Sequence, residues 1–463
     1  MTTDLTELQQ PPLVPLRGWG RSASTSARLT PVETVDAAVT ALRQGDGSRG
    51  FLARGLARSY GDAAQNAGGT ALDLTTLNRI LSLDVEGEPP TVTVQAGVSL
   101  DVLMRAVLPF RLWVPVLPGT RQVTIGGAIA ADVHGKNHHV DGSLGNHVRS
   151  LDLLTADGEV RTLTPDGPDP DLFWATVGGM GLTGVIVGAT VELQRTETSY
   201  FRVDTDRASD IDDLMARMSE NDDAYTYSVA WFDAVTRGRH MGRAVLTRGH
   251  KAGLADLTPK LRRDPLRFGA PSFGTIPELF PNGMVNRVTA KAFSTAWYYK
   301  APRHRIGELQ NITAFFHPLD IVADWNRVYG SGGFLQYQFV VPFSEPEVFR
   351  QCFEMIVSSG HLSCLNVLKR FGPGNPGPLS FPMPGWTLTV DLPIRAGLER
   401  LCNSLDERVI AAGGRVYLAK DSRLSADTFR QMYPRLDDFL AVRRRVDPGG
   451  LFNSDLARRL DLH

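Results

Sequence analysis

Lys420 closes the run Tyr417-Leu418-Ala419-Lys420-Asp421-Ser422. An amine there could hold negative charge on an alkoxide, or act as a base if its pKa were lowered. By residue type alone, a lysine after an apolar strand is a solvated strand end. Lys369, Lys136 and Arg58 are ambiguous in the same way. His134, His138, His139 and His147 form the densest histidine cluster. His134 and His138 have the i, i+4 spacing that chelates a metal on a helix. Gly135 stands between them, and Asp132 is the one carboxylate within a turn. The pattern therefore favours a histidine beside a ligand, and no metal site is expected.

Two glycine-bearing segments suit an anion. Arg54-Gly55-Leu56-Ala57-Arg58-Ser59-Tyr60-Gly61-Asp62 can turn sharply and present successive N–H groups, with Arg54, Arg58 and Ser59 as further donors. Such a nest fits a diphosphate. Pro118-Gly119-Thr120-Arg121-Gln122-Val123-Thr124-Ile125-Gly126-Gly127-Ala128 has the same character and no acidic residue. Gly179-Met180-Gly181-Leu182-Thr183-Gly184 spells G-x-G-x-x-G, but a helical pattern precedes it and a strand pattern follows. A dinucleotide fingerprint needs the reverse order, so a turn packed close to a ligand or to backbone is expected.

These groups need a scaffold. The 463 residues exceed one ordinary core, so two domains are expected. A net charge of −1 argues against a nucleic-acid binder. Cys352, Cys364 and Cys402 make no C-x-x-C pair and read as free or buried thiols. Residues 1–17 read as a poorly ordered lead-in without a secretory pattern, and no run is apolar enough to span a membrane. Thr30, Pro31 and Glu33 read as a capping box before a helix carrying Val35, Val39 and Leu42. Thr91–Ala96 alternates as a strand, and Ser99 caps a helix with Leu100, Leu103 and Met104. Leu151–Thr164 reads as a hairpin turning at Asp157-Gly158; Asp171–Trp174 begins a short helix, and Leu182–Leu193 is a strand. Aromatic residues become denser after about residue 196, with runs such as Phe334–Val341 that predict an antiparallel sheet. The last 50 residues return to helix, with Arg443–Arg445 and Arg458-Arg459 on it.

The Arg54–Asp62 loop, the Pro118–Ala128 segment and Asp171-Leu172-Phe173-Trp174 before Gly178–Gly181 resemble the FAD-binding domain of the vanillyl-alcohol oxidase type. Longer strings, among them Gly18-Trp19-Gly20-Arg21, Leu112–Thr124, His134–His139, Gly145–Ser150, Phe334–Phe339 and Ala419–Arg423, are similar to a narrower family, the actinobacterial decaprenylphosphoryl-β-D-ribose oxidases. The resemblance implies an α+β, two-domain flavoprotein. Its FAD-binding domain (PCMH type) would span residues 1–197 and 414–463, with a substrate domain over 198–413. It implies oxidation of a ribose C2′ hydroxyl on a polyprenyl phosphate, with hydride passing to flavin N5. This is the first half of an epimerisation toward the arabinose donor of cell-wall arabinan (arabinogalactan). A keto-reductase partner using NAD(P)H would complete it.

The same resemblance places FAD contacts at Ala53, Arg54, Gly55, Leu56, Ala57, Arg58, Ser59, Tyr60, Gly61, Asp62 and Ala63. Further contacts fall at Gly119, Thr124, Ile125, Gly126 and Gly127, and at Ala131, Asp132, Val133, His134, Ile186 and Tyr417. Lys420, His134 and Tyr60 fall at the reacting centre. Substrate positions are Gln336, Gln338, Lys369 and Lys136, with Trp231, Phe316, Phe371, Thr387 and Thr389 around them. Many relatives carry a histidine that bonds the flavin covalently; Tyr60 holds that place here, so non-covalent FAD is implied. Two departures stand out: Thr389 replaces a Cys of mycobacterial members, and Phe316 replaces a common Tyr. Rival functions are a soluble aldonolactone or alditol oxidase, and a non-catalytic flavin-binding scaffold in an envelope complex. The resemblance implies work at the cell envelope, periplasmic side, with peripheral membrane contact; a cytoplasmic protein is the alternative.

Overall fold

The computed structural model describes residues 12–45, 47–271 and 273–463. Met1–Glu7, where a secretory pattern was sought, lies outside them. The expectation of a poorly ordered lead-in fails over its last residues, because Leu13–Arg17 forms strand β1 and pairs with β2 (Ser24–Pro31). With β3 (Phe51–Arg54) and β4 (Thr70–Asp73) these make a four-stranded sheet in the order β1-β2-β4-β3. A second sheet, order β5-β6-β10-β8-β9, is antiparallel and holds β5 (Ile80–Asp84), β6 (Thr91–Gln95), β8 (Val148–Leu154), β9 (Val160–Leu163) and β10 (Val185–Glu192). The short pair β7 (Leu112–Trp113) and β11 (Gln194–Arg195) closes its end.

Local rules explain most of this. Val92 and Val94 of β6 are buried while its threonines are half-buried, the alternation of a strand with one covered face. Ser99 caps α2 (Leu100–Val107), its hydroxyl accepting from Val102 N–H. The α1 helix corrects the sequence reading. It runs over Val35–Gln44 and is capped by Thr34, which accepts from Ala37 N–H; Thr30 and Pro31 end β2 instead. The β8–β9 turn is also wider than expected. Gly158 N–H donates to Thr155 O and takes φ +82°, so Ala156 and Asp157 are its central pair.

The rest of the chain is built on one eight-stranded antiparallel sheet, ordered β15-β12-β14-β13-β17-β18-β16-β19. Its strands are β12 (Tyr200–Ala208), β13 (Tyr227–Phe232), β14 (Ala244–Lys251), β15 (His304–Asn311), β16 (Phe334–Pro342), β17 (Asn366–Phe371), β18 (Gly385–Pro393) and β19 (Arg415–Val416). Alternate residues of β16 face opposite ways. Tyr337 and Phe339 turn toward the helices α9 (Pro346–Ser358) and α10 (Leu398–Ala411), where Phe349, Phe353, Cys402 and Leu405 share their core. Gln336 and Gln338 turn to the other face. Cys352 and Cys402 are buried and Cys364 half-buried, all three as free thiols.

The C-terminal helices α11 (Ala426–Met432), α12 (Leu436–Val446) and α13 (Asp455–Arg459) share a core with the large sheet, and the chain after α12 returns to the first sheet. Phe51 N–H donates to Leu451 O, Asn453 N–H donates to Phe51 O, and Arg445 makes a two-bond contact with Asp169 at the start of α5 (Pro170–Thr176).

Candidate active site and cofactor groove

The loop after β3 presents a nest. Ala57 takes φ +54°, and the backbone N–H groups of Leu56, Ala57, Arg58 and Ser59 find no acceptor among the described residues. The arginine side chains brace this loop. Arg54 donates to Ala64 O and to Arg17 O, while Arg58 donates to Leu56 O and lies 4.1 Å over the Trp19 ring. Gly55 abuts Thr124: a Cβ there would stand 2.3 Å from Thr124 Oγ1, so the two glycine-bearing segments meet. Thr124 caps α3 (Ile125–Ala130) by accepting from Gly127 N–H.

Two glycines in that short helix cost about 1 kcal/mol each relative to alanine. Gly126 packs on Ala96, but Gly127 is exposed, and a Cβ there would meet only Thr124 Oγ1. Bare backbone beside unpaired N–H groups, on a groove floored by buried Ile125, Val133 and Ile186, fits a long cofactor with an anionic middle and a flat ring. FAD has that shape, and Ala53–Ala63, Gly119, Thr124–Gly127 and Ala131–His134 would hold it. The turn that opens the G-x-G-x-x-G segment packs on the end of α3: Gly178 N–H donates to Ile129 O and Met180 N–H to Ala130 O.

Asp132 ties the groove to the large sheet. Its buried carboxylate accepts from Ser143 Oγ, Gly145 N–H, Asn375 Nδ2 and Ser380 Oγ, at 2.5–3.0 Å. Tyr417 donates its hydroxyl to Ala131 O at 2.7 Å, and its N–H to Gln338 O.

The polar face of the large sheet supplies the other wall. Registry aligns Gln338, Thr389, Val367 and Trp231 in one row across β16, β18, β17 and β13. Gln336 pairs with Asp391 in a neighbouring row, and Thr387 with Lys369 in another. Thr387 is fully buried. His134 reaches this face from the groove: Gln338 Nε2 lies 3.0 Å from its Nε2, and Lys369 Nζ lies 3.1 Å from its Nδ1. Burial first, then Lys369, holds the His134 pKa well below the usual histidine range, so the ring is neutral. With Lys369 as the ammonium, which can only donate, Nδ1 accepts from it and Nε2 carries the proton; the Gln338 amide must then be flipped, so that its oxygen in place of Nε2 faces the ring. Phe371, Phe381 and Tyr417 surround the ring with centroids 4.7, 6.0 and 5.6 Å away. His134 and His138 do not share a helix, since α4 begins at His138 (His138–Asp141). His138 accepts from Gly372 N–H through Nδ1.

Lys420 is half-buried, not a solvated strand end. Its ammonium sits 3.8 Å over the Tyr60 ring, whose N–H donates to Ala419 O. Burial lowers the Lys420 pKa to about 7, with Asp391 opposing and Lys369 adding to the fall. Burial likewise brings Lys369 and Lys136 to about 7. Lys136 donates to Phe315 O. Phe316 is the substrate position set among core rings. It is buried among Trp113, Phe201, Tyr227 and Phe315 and reaches the pocket only through Lys136, 5.6 Å above it.

Asp391 is the site residue that the sequence reading passed over. It is fully buried, accepts from Gln336 Nε2 at 2.5 Å and from the Tyr329 hydroxyl at 3.5 Å, and burial raises it to about 7. Its signal was available: a carboxylate two residues beyond Thr389 inside an otherwise uncharged strand. Thr389 itself is 8% exposed and carries no thiol. Reagents that bond a cysteine at this place are expected to leave no mass adduct at Thr389, as peptide mass mapping would show; an adduct there would contradict it.

The FAD binding domain model matches residues 27–164, and the D-arabinono-1,4-lactone oxidase model matches residues 395–460. The chain is 55% identical over 450 residues to the decaprenylphosphoryl-beta-D-ribose oxidase of Mycolicibacterium smegmatis, covering 96% of this chain and 97% of that one. It is 41% identical to an uncharacterized Streptomyces coelicolor protein, covering 79% of this chain and all of that one. The L-gulono-1,4-lactone dehydrogenase of Mycobacterium tuberculosis is 26% identical, with 92% of this chain and 93% of that one covered.

Proposed function

The chain belongs to the decaprenylphosphoryl-β-D-ribose oxidase family of FAD-dependent oxidoreductases, and from that premise we propose that it oxidises the 2′-hydroxyl of decaprenylphosphoryl-β-D-ribose to the 2′-ketone. The observation that carries this reading is the neutral His134 set among Lys420, Lys369 and Lys136 on the polar sheet face. Such a desolvated, cation-rich wall suits a sugar phosphate whose hydroxyl must pass through an alkoxide. FAD, when bound, would supply the hydride acceptor, and the hydroxyl proton would be released to solvent.

The protein's own groups do the rest. Lys420 holds the developing alkoxide charge, because the Tyr60 ring and the Asp391 carboxylate both favour its ammonium form. His134 Nε2–H and Gln338 fix the sugar's orientation, with Gln336 held in place by Asp391. Lys369 and Lys136 bind the phosphate. Thr387, Thr389, Trp231 and Phe371 shape the wall. The C2′ ketone would then pass to an NAD(P)H-dependent reductase partner, completing epimerisation toward the arabinose donor for cell-wall arabinan. We assign residues 1–197 and 414–463 to cofactor binding and 198–413 to the substrate. Among the described residues no helix is long and apolar enough to cross a membrane. We place the work at the cell envelope, periplasmic side, with peripheral membrane contact and no nucleic acid.

A second reading, an aldonolactone or alditol oxidase, is favoured by the lactone-oxidase match over residues 395–460. Peroxide release separates the two. Oxidation of the prenyl-phosphoryl ribose with no peroxide from free lactones or alditols supports the first reading; the reverse supports the second. The cofactor is held without a covalent bond, since Tyr60 stands where relatives carry the bonding histidine. Acid precipitation is therefore expected to leave free FAD in the supernatant. Flavin pelleting with the protein would contradict this.

A further inference from the structure

Eight of the sixteen large apolar side chains exposed among the described residues lie between Phe273 and Ile306. Leu279, Val288 and Phe273 are 87, 78 and 77% exposed. An ordinary surface helix turns its apolar stripe inward and its charges outward. The helix α7 (Arg287–Lys300) does the reverse. Its buried positions are the small Ala290 and Ser294, while Val288, Ala292 and Tyr299 fall on the opposite face, with Lys291 and Lys300 to either side. From Leu279 to His304 the chain carries Arg287, Lys291, Lys300 and Arg303 and no acidic residue. None of those four makes a salt bridge among the described residues.

One flank of the helix meets the large sheet through aromatic rings. Phe293 and Trp297 stack with centroids 5.8 Å apart, and the Trp231 ring lies 6.4 and 6.3 Å from them. Trp231 is in the same cross-strand row as Thr389 and Gln338. An aromatic run thus leads from the flank of α7 beside Ala290 and Ser294 to the polar sheet face.

We propose that α7 and the stretch from Phe273 to Met284 seat the protein on an anionic lipid surface, with Trp297, Phe293 and Trp231 guiding the lipid tail inward. Exposed apolar side chains enter the headgroup boundary, and the unpaired basic rim meets the headgroups. The seating locates the peripheral membrane contact proposed above, and the lipid-tail half rests on the substrate reading.

The test is flotation of the FAD-loaded protein with phosphatidylglycerol-containing vesicles and with vesicles of phosphatidylcholine alone. Binding to the anionic vesicles is expected to be at least about tenfold stronger. The pairs Val288→Ser with Tyr299→Ser, and Lys291→Glu with Lys300→Glu, should each weaken it by about tenfold or more. Flavin content, thermal midpoint and turnover of a short-chain, water-soluble prenyl-phosphoryl ribose should stay unchanged. Equal flotation of wild type and both variants would overturn the proposal. So would absence of flotation together with a concentration-dependent dimer that the same variants abolish, which would give the face to a second copy. Intact flotation without turnover of the short-chain substrate would reject the substrate reading and leave the seating supported.

Discussion

Lys420→Ala is expected to lower kcat by about 10²–10³-fold, the usual scale for removing a group that stabilises an oxyanion-like charge. The ammonium stands over the Tyr60 ring and makes no side-chain hydrogen bond or salt bridge among the described residues, so it is not a structural clamp. Flavin content and absorbance should therefore be retained, and turnover of the prenyl-phosphoryl ribose should collapse. The pH profile gives the role. Burial brings Lys420 to about 7, so both protonation states are reached near neutrality. A charge stabiliser works as the ammonium: kcat is level below that pKa and falls as pH rises through it. A general base works as the free amine, and its limb rises over the same range. The falling limb is the expected result. Unchanged turnover in the alanine variant would remove Lys420 from the reaction altogether.

Arg459→Leu is expected to destabilise the protein by about 3–5 kcal/mol, the usual cost of removing one partner from a buried ion pair. Arg459 donates twice to Asp62, at 2.7 and 2.8 Å, once to Asp421 at 2.8 Å, and once to Leu424 O. The Asp421 side chain is 1% exposed and that of Asp62 13%, so both carboxylates would be left desolvated. The variant would also untie the cofactor loop from the segment carrying Lys420, so FAD should bind more weakly. Urea unfolding of apo and FAD-loaded protein checks both. A loss under about 1 kcal/mol would show that solvent replaces the arginine without strain.

That clamp marks the limit of what residue patterns reveal. Arg459 and Asp62 lie 397 positions apart, and each reads alone as a surface charge. Local features were legible: Ser99 before an apolar helix, the alternating β6, and the glycine loops that meet at Gly55 and Thr124. The α1 start was misread because Thr30-Pro31 also suits the end of a parallel strand, and β4 claims it. The polar sheet face was legible only through family resemblance. Gln338, Lys369 and Trp231 come from separate strands, and their row exists only once β16, β18, β17 and β13 are in register. Phe316 is hard to place for a related reason. An aromatic residue is at home in a pocket wall or in a core, and the rings of Trp113, Phe201 and Tyr227 decide for the core.

Anaerobic titration of the purified, FAD-loaded protein with a prenyl-phosphoryl ribose tests the central claim most directly. The oxidised-flavin absorbance is expected to bleach at about one equivalent and the C2′ ketone to appear in the product, while free lactones and alditols leave the spectrum unchanged. Bleaching by a free lactone or alditol but not by the lipid-linked ribose would contradict the account, and bleaching by neither would reject it in favour of a flavin-binding scaffold.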